Sequence, residues 1–309
     1  MSRPTGKSVV VVGSSNTDMI LRVARVPRPG ETLLGGEFST APGGKGANQA
    51  VAAARAGGRV SFVARLGRDP LGDAALAGFR KEGMGLSRVV RDRGRPSGVA
   101  LIFVGADGEN SIGVAGGANQ RLSPADVSAA RGLISGARVL LVQLETPLRT
   151  VEAAARIARA AGVDVILNPA PARPLPSALL RNVSILTPNE TEASVLTGVR
   201  VTGAASAARA ARILMRRGVG TVIVTLGARG ALVATRGGSQ VIPGFKVRAV
   251  VSTAAGDVFN GALAVRLAEN CPLGAAVRFA HAAAAISVTR RGAQPSIPAR
   301  SEIDALLGK

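Results

Sequence analysis

The sequence predicts an α/β protein, with a doubly wound, mainly parallel sheet flanked by helices and a small β-sheet lid. Short β-branched runs alternate along the chain with alanine-rich stretches of helical pattern, and these runs are apolar on both faces. Such strands are expected where helices cover both sides of a parallel sheet. Two segments, 16–42 and 97–115, show strand-like alternation without an intervening helix. We expect a single domain over 1–309 in which these two segments form the lid.

The individual elements follow from the same patterns, taken in chain order. Apolar runs predict strands of the main sheet at 9–13, 60–67, 139–145, 163–169, 183–189, 221–227 and 247–251. Helical spacing predicts helices at 47–56, 71–83, 123–135, 147–161 and 204–217, and an all-helical tract at 256–288. Ser123 stands before Pro124, which is the order of a capping residue and a proline at the first helical position.

The charge of the chain first suggests a nucleic-acid partner. Its 309 residues include 39 Lys plus Arg and 19 Asp plus Glu, for a formal net charge of +20. The basic residues are scattered, however, and aromatic residues make up only 2%, so platforms for base stacking are missing. Arg209, Arg212 and Arg216 fall on one side of a predicted helix and are expected to form a solvated face. We therefore expect no nucleic-acid partner.

Several function classes are excluded by residues that the chain lacks. Cys271 and His281 are the single cysteine and histidine, so a disulfide framework, a multi-cysteine metal site and a histidine-rich metal site are ruled out. The sequence contains no G-x-x-x-x-G-K-[ST], G-x-G-x-x-G or G-x-S-x-G motif. Its apolar stretches are shorter than the roughly 18 residues of a membrane span. We expect a cytoplasmic protein without a membrane partner.

One candidate catalytic element is the run Ala254-Ala255-Gly256-Asp257, placed between a predicted strand and a predicted helix. Small residues at a helix start let a phosphate approach backbone N–H groups, and the helix dipole favours its negative charge. Asp257 in the first turn could accept the proton of an attacking hydroxyl, a role worth ~10²–10⁴-fold in rate. An aspartate that merely complements the helix dipole explains this run equally well.

Other polar residues stand at predicted strand ends. The glycine-rich run 43–49 contains Lys45 and Asn48, a cation and an amide that suit hydroxyl groups. Asn16 and Asp18 follow the first strand, and Glu145, Asn168 and the run 187–192 follow later ones. Open α/β sheets bind ligands at the carboxyl ends of their strands. These ends are therefore expected to form one site.

Taken together, these motifs resemble those of the ribokinases, within the PfkB-type carbohydrate kinases. The resemblance extends from about residue 9 to residue 307. It is carried by GGKGANQA at 43–50, GRDPLG at 67–72, NPAPA at 168–172, TPNE at 187–190, AAGDVFNGA at 254–262, RFAHA at 278–282 and RRGAQPS at 290–296.

The resemblance implies a reaction in which the γ-phosphate of ATP passes to the 5-hydroxyl of D-ribose. It implies that Asp257 is the base and that Ala254, Ala255 and Gly256 form the anion hole. The implied sugar-binding positions are Asn16, Asp18, Gly44, Lys45, Gly46, Asn48 and Glu145, with Asp257. The implied nucleotide-binding positions are Asn189, Thr225, Leu226, Gly227, Ala228, Arg229, Gly230 and His281. From sequence alone, His281 is explained as simply by packing within a helix.

The resemblance also implies Mg²⁺, which Glu192 would contact indirectly, and a homodimer formed through the lid. Ribokinases use an aspartate before this Ala-Ala-Gly-Asp run as the charged ligand of an activating monovalent cation, and here Val251 replaces it. The other matching positions are Thr253, Ser287, Arg290, Gly292 and Ser296. Because a hard cation needs oxygen ligands, we expect activation by K⁺ to be weak or absent.

Two alternatives to ribose phosphorylation remain open at this point. The chain could phosphorylate another pentose or a nucleoside, such as deoxyribose or adenosine. It could also be a non-catalytic sugar-binding regulator on the same scaffold, although such a protein would not need the base Asp257.

Overall fold

The strands of the protein form two separate sheets in the computed structural model, which describes residues 7–107 and 109–308. The strands are β1 (Ser8–Val12), β2 (Asn16–Arg22), β3 (Glu37–Gly43), β4 (Arg59–Gly67), β5 (Gly85–Asp92), β6 (Gly98–Val104), β7 (Asn110–Ala115), β8 (Val139–Val142), β9 (Asp164–Leu167), β10 (Ile185–Leu186), β11 (Thr221–Thr225), β12 (Ala231–Thr235) and β13 (Gly238–Ile242). The helices are α1 (Lys45–Arg55), α2 (Pro70–Lys81), α3 (Pro124–Ala129), α4 (Arg131–Gly136), α5 (Leu148–Ala160), α6 (Ser177–Leu180), α7 (Glu190–Thr197), α8 (Ala204–Arg216), α9 (Ala255–Ala268), α10 (Leu273–Val288) and α11 (Arg300–Leu306).

The larger sheet has the strand order β13-β12-β11-β10-β9-β8-β1-β4-β5. Pairing is parallel from β5 through β11, whereas β12 and β13 continue the sheet as antiparallel strands. In β1, Val9 and Val11 belong to one core cluster, and Val10 and Val12 belong to the other. The strand is thus covered on both faces, as its continuous apolar sequence predicts.

The smaller sheet has the order β3-β2-β6-β7 and is formed by the two segments that lack an intervening helix. Its register places Asp18 beside Ala41 of β3 and Ala100 of β6. The predicted fold class, a mainly parallel sheet flanked by helices with a second small sheet, is therefore confirmed. Gly108, within the predicted segment 97–115, lies outside the described residues.

Some predicted boundaries are wrong. Residues 247–251 form no strand, because the amides of Val250 and Val251 both donate to the carbonyl of Val288 instead of to a sheet neighbour. The predicted helix at 123–135 is two short helices, α3 and α4, although the capping box at Ser123 is present. The tract at 256–288 is likewise divided into α9 and α10, separated by a turn at Asn270 with a φ of 61°.

The crossing of α1 and α9 determines where Asp257 lies. Gly261 of α9 approaches α1 so closely that a Cβ there would be 2.6 Å from the backbone oxygen of Gln49. Glycine is needed for this backbone approach. The contact brings the first turn of α9 against the Asn48-Gln49 pair of α1. Within the described residues, no helix is long and apolar enough to cross a membrane.

Candidate active site

Two adjoining cavities lie at the carboxyl ends of the central strands, around the start of α9. One is an apolar cavity of about 280 Å³ whose walls include Phe245, Phe259, His281 and Val288. The other is a polar cavity of about 200 Å³ whose walls include Lys45, Asn168, Glu192 and Asp257. The two share four residues, Thr225, Ser252, Ala255 and Gly256. A ligand with an apolar end and an anionic end could therefore occupy both.

Asp257 is the buried carboxylate of the polar cavity and is only 5% exposed. It lies in the first turn of α9, after Ala254, which takes a left-handed conformation with a φ of 61°. Its Oδ2 accepts a hydrogen bond from Asn48 Nδ2 at 3.0 Å, and its Oδ1 accepts one from Gln49 Nε2 at 2.9 Å. Burial raises the pKa of Asp257, an effect that Lys45 and the two amides oppose. The carboxylate is thus a stronger base than an exposed aspartate.

Gln49 is a site residue that the sequence reasoning missed. Its Nε2 also donates to Asn168 Oδ1 at 3.0 Å, and its Oε1 accepts from Gln143 Nε2 at 2.6 Å. The side chain is fully buried, and it joins two strand ends, after β8 and after β9, to Asp257. Its only sequence signal is its place beside Asn48 in the glycine-rich run, where its role could not be separated from helix packing.

The start of α1 is fixed by Glu145, which follows β8. Glu145 Oε2 accepts hydrogen bonds from Ser14 Oγ at 2.6 Å and from the backbone N–H of Lys45 at 2.9 Å. The N–H of Gly46 donates to the same Ser14 hydroxyl at 3.2 Å. Gly44, with a φ of 89°, makes the turn that allows these contacts. Ser14 is a second residue that no sequence motif indicated.

The ammonium group of Lys45 extends into the polar cavity. Its burial by itself would lower the pKa of Lys45, but the carboxylates of Asp257, Glu145 and Glu192 raise it above the ordinary value. Lys45 is therefore a persistent positive charge beside the start of α9.

Asp18 lies at the base of the small sheet with its carboxylate against Gly43. A Cβ at Gly43 would be 2.2 Å from Asp18 Oδ1, so a larger residue at this position would displace the carboxylate. The pKa of Asp18 is raised to about 6, mainly by burial and further by Glu145 and Asp257. Asp18, Glu145 and Asp257 thus lie close enough to repel one another.

Asn16 is buried at the start of β2, where its Oδ1 accepts a hydrogen bond from Asn119 Nδ2 at 2.8 Å. Asn119 also donates to the carbonyl of Ser15 and accepts from its amide. These hydrogen bonds fix residues 15 and 16, where the chain passes from β1 of the larger sheet to β2 of the smaller sheet. Asn119, like Gln49 and Ser14, lies outside the predicted site residues.

Asn189 and Glu192 form the wall of the polar cavity opposite Lys45. They make a capping box at the start of α7, in which Glu192 N donates to Asn189 Oδ1 at 2.8 Å and Glu192 Oε2 accepts from Asn189 N at 2.9 Å. Burial raises the pKa of Glu192. The described residues contain no group of three or more His, Cys, Asp or Glu side chains that could hold a metal. The donor set therefore fits Mg²⁺ only if phosphate oxygens and water supply most of its ligands.

The predicted nucleotide run at 225–230 divides into two groups. Thr225, Gly227 and Ala228 line the apolar cavity, whereas Leu226, Arg229 and Gly230 line neither cavity. Arg229 is ion-paired with Glu190 at 2.5 Å instead of facing the site. Gly230 makes a tight turn with a φ of 100°, where a Cβ would be 2.0 Å from the oxygen of Ile242.

His281 combines helix packing with a place in a cavity wall. Its ring packs edge-on against Phe259 with 5.0 Å between centroids, and it lines the apolar cavity. Burial lowers the pKa of His281 to about 4, so the ring is neutral at pH 7. Its Nε2 is buried and has no hydrogen-bond partner among the described residues. A ligand in the cavity could supply that partner.

Several residues at the positions that match a monovalent-cation site are engaged in other contacts. The five positions besides Val251 are Thr253, Ser287, Arg290, Gly292 and Ser296, and none of them lines the apolar or the polar cavity. Ser287 and Ser296 donate their hydroxyls to carbonyls of their own turns, each at 2.8 Å. Arg290 is ion-paired with Glu302. With Val251 in place of an aspartate, these positions supply no carboxylate oxygen for a cation.

Similarities to known proteins agree with this arrangement. The pfkB family of carbohydrate kinases matches residues 6–300. The ribokinase of Haemophilus influenzae is 47% identical over 296 residues, which cover 96% of this chain and 97% of that protein. The deoxyribokinase of Salmonella typhi is 37% identical over 300 residues, which cover 97% of this chain and 98% of that protein. The structure of Arabidopsis thaliana ribokinase complexed with ribose and ATP has a TM-score of 0.91 at 34% identity and covers 100% of both chains. This chain therefore belongs to the pfkB family of carbohydrate kinases.

Proposed function

We propose that this carbohydrate kinase transfers the γ-phosphoryl group of ATP to the 5-hydroxyl of D-ribose and forms D-ribose 5-phosphate. The observation that carries the proposal is the position of Asp257. It is a buried carboxylate with a raised pKa, held by two amide donors in the polar cavity, next in sequence to two residues that both cavities share. The 47% identity to a ribokinase supports ribose as the sugar.

The sugar would bind between the small sheet and the start of α1. Asp18 and Asn16 supply acceptors from β2, whereas Lys45 and Asn48 supply donors from α1. Glu145 supports the backbone of this region, together with Gly44 and Gly46. These groups would orient the sugar so that one hydroxyl faces Asp257, and such positioning supplies much of the rate enhancement of a kinase.

Asp257 would accept the proton of that hydroxyl as the oxygen attacks phosphorus. The backbone amides of Ala254, Ala255 and Gly256 would stabilise the negative charge that develops on the transferred group. Mg²⁺ bound with the nucleotide supplies charge neutralisation on the phosphate oxygens, and Glu192 and Asn189 would hold its water ligands.

The adenine end of ATP would occupy the apolar cavity. Thr225, Gly227 and Ala228 form one wall, and His281 offers an unpartnered neutral nitrogen. Leu226 and Gly230 would act only by shaping the turn, and Arg229 by joining it to α7. The phosphate chain would then lie across the residues that the two cavities share.

Potassium is proposed to activate the enzyme weakly or not at all. Val251 provides no carboxylate, and the carbonyl of Val288 already accepts two amide hydrogen bonds. Turnover is expected to change less than about twofold between sodium and potassium buffers, and Val251→Asp is expected to increase the difference. A strong activation of the unmodified enzyme would contradict this proposal.

We further propose a homodimer through the small sheet and a cytoplasmic location, with the small sheet acting as a lid. Phe38, Leu101, Ile112 and Val114 of this sheet are each more than half exposed, and an exposed apolar sheet favours association. Cys271 is a free thiol, which suits a reducing compartment.

Ribose-dependent formation of ADP is the direct test of the function. Rates of ADP production would be compared for ribose, deoxyribose and adenosine, with kcat/KM expected to be highest for ribose. Deoxyribose is the second candidate because a deoxyribokinase is 37% identical over nearly the full chain. A site built to bind a sugar hydroxyl rejects the analogue that lacks it. ADP formation independent of any sugar, or none at all with sugar binding retained, would refute the kinase proposal.

A further inference from the structure

A cavity lined with arginine lies at the amino ends of the strands of the larger sheet, on the opposite side from Asp257. Its volume is about 520 Å³, and its walls are built from the amino ends of β9, β10 and β11, the residue before β8 and the end of α9. We call it the arginine cavity and define it by Arg138, Arg159, Arg181 and Arg236. One carboxylate, Asp164, lines it among the described residues.

Arg138 makes the floor of the arginine cavity and is 7% exposed. Its guanidinium donates to Asn270 Oδ1 through Nε at 3.2 Å and through a terminal nitrogen at 2.9 Å, and it pairs with Asp164 at 3.3 Å. The side chain is thus held in place before any ligand arrives. Arg181 is positioned in a different way, because its stem packs against Gly218, where a Cβ would be 2.6 Å from Arg181 Cγ.

The positive charge continues beyond the arginine cavity. A neighbouring cavity of about 380 Å³ shares Arg236 and is also lined by Arg212 and Arg216 of α8. Among the described residues, no carboxylate lines this neighbouring cavity. Several guanidinium groups around a concave surface attract a multiply charged anion much more strongly than isolated surface arginines do. Arg212 and Arg216, which the sequence predicts on a solvated helix face, therefore line a positively charged cavity.

We propose that the arginine cavity binds a compact anion of two or more charges, of the phosphate-ester or polyphosphate class. Guanidinium groups match phosphate oxygens with paired N–H donors, and only a multivalent anion uses several of them at once. A small ligand is favoured over nucleic acid because neither cavity has an aromatic ring on which a base could stack. The site is distinct from the catalytic one, since the length of α9 separates them by about 20 Å.

The test is titration calorimetry with sodium tripolyphosphate in magnesium-free buffer. The unmodified protein would be compared with the double variant Arg181→Ala/Arg236→Ala and with Arg88→Ala, which removes an exposed arginine of β5. Any binding of tripolyphosphate at the start of α9 is common to all three proteins. We expect one further binding event, in the arginine cavity. Arg88→Ala should retain this event, the double variant should weaken it at least tenfold, and Arg181→Lys should weaken it only several-fold.

Equal binding by all the proteins would overturn the proposal, as would the absence of any event beyond the one at the start of α9. A single-stranded oligonucleotide is the competitor for a nucleic-acid surface. The small-anion proposal is wrong if the oligonucleotide displaces tripolyphosphate and binds more tightly than tripolyphosphate does, and if the double variant binds neither of them. Retained ribose binding and an unchanged thermal transition would show that the double variant is folded. Arg236→Glu, on the exposed turn between β12 and β13, provides an independent variant.

Discussion

The polar and the apolar cavity share four residues but differ in how their walls are held. The polar cavity is walled by side chains that hydrogen-bond to one another, with Asp257, Gln49 and Asn168 joined in one network. The walls of the apolar cavity are mainly apolar side chains and backbone. Among the described residues that line it, His281 has the one buried side-chain nitrogen without a hydrogen-bond partner. The polar half can therefore control where a proton goes, whereas the apolar half can only select and hold a ligand.

This difference predicts that the largest effect follows from a change at Asp257. Replacing it with asparagine removes the base but keeps the shape of the side chain and one of its two acceptor oxygens. We expect kcat to fall by ~10²–10⁴-fold while ribose binding, measured by calorimetry, changes little. The matched control is Asp73→Asn in α2, the same substitution at a side chain that is 69% exposed, which should keep its turnover. Near-normal turnover of Asp257→Asn would remove this residue from the mechanism.

Gln49 should show the next largest effect. Gln49→Met keeps the volume but removes a hydrogen bond to the Asp257 carboxylate, and a bond to a charged group is worth about 1.5–3 kcal/mol. This corresponds to roughly ten- to a hundredfold in kcat. Gln143→Met serves as the control, because Gln143 donates to Gln49 and, among the described residues, is not hydrogen-bonded to Asp257. Equal losses in both variants would indicate a structural role for the whole network.

A pH titration of ribose binding tests Asp18. Its pKa of about 6 is above that of an ordinary aspartate, so the carboxylate becomes protonated as the pH falls through 6. An ionised acceptor binds sugar hydroxyls better, and we expect the Kd for ribose to rise by up to about tenfold between pH 7 and pH 5. Asp18→Asn should bind more weakly and without this dependence. Asp257→Asn should retain a pH dependence but shift it to lower pH, because the Asp257 charge helps to raise the pKa of Asp18.

The smallest of these effects is expected in the apolar cavity. His281→Leu removes one neutral hydrogen-bond partner, worth about 0.5–1.5 kcal/mol, so the KM for ATP should rise roughly three- to tenfold. Turnover at saturating ATP and the KM for ribose should hardly change. Because the pKa of His281 is about 4, the effect should be the same at pH 6 and pH 8. A loss of kcat instead of ATP affinity would mean that the apolar cavity also takes part in the chemistry.

Most of the parallel sheet could be predicted from apolar runs alone, because a strand buried on both faces leaves a continuous signal. The edge strands β5 and β13 were missed because they carry exposed polar residues. The buried strand β12 was missed because its apolar run is only four residues long. The strand predicted at 247–251 is absent for a different reason, because this segment has an apolar pattern but no sheet neighbour. Its valines satisfy their amides against the end of α10, a contact that no local pattern can reveal.

The sequence by itself determined the fold class, the family and the presence of a carboxylate at the start of a helix, because each depends on local order along the chain. Tertiary structure alone decided that Gln49, Ser14 and Asn119 hold this site, since their partners lie many residues away. It also decided that Arg229 is ion-paired with Glu190 of α7. A hydrogen bond between distant segments requires both the residue types and the crossing of their elements, and only the first of these is written in the sequence.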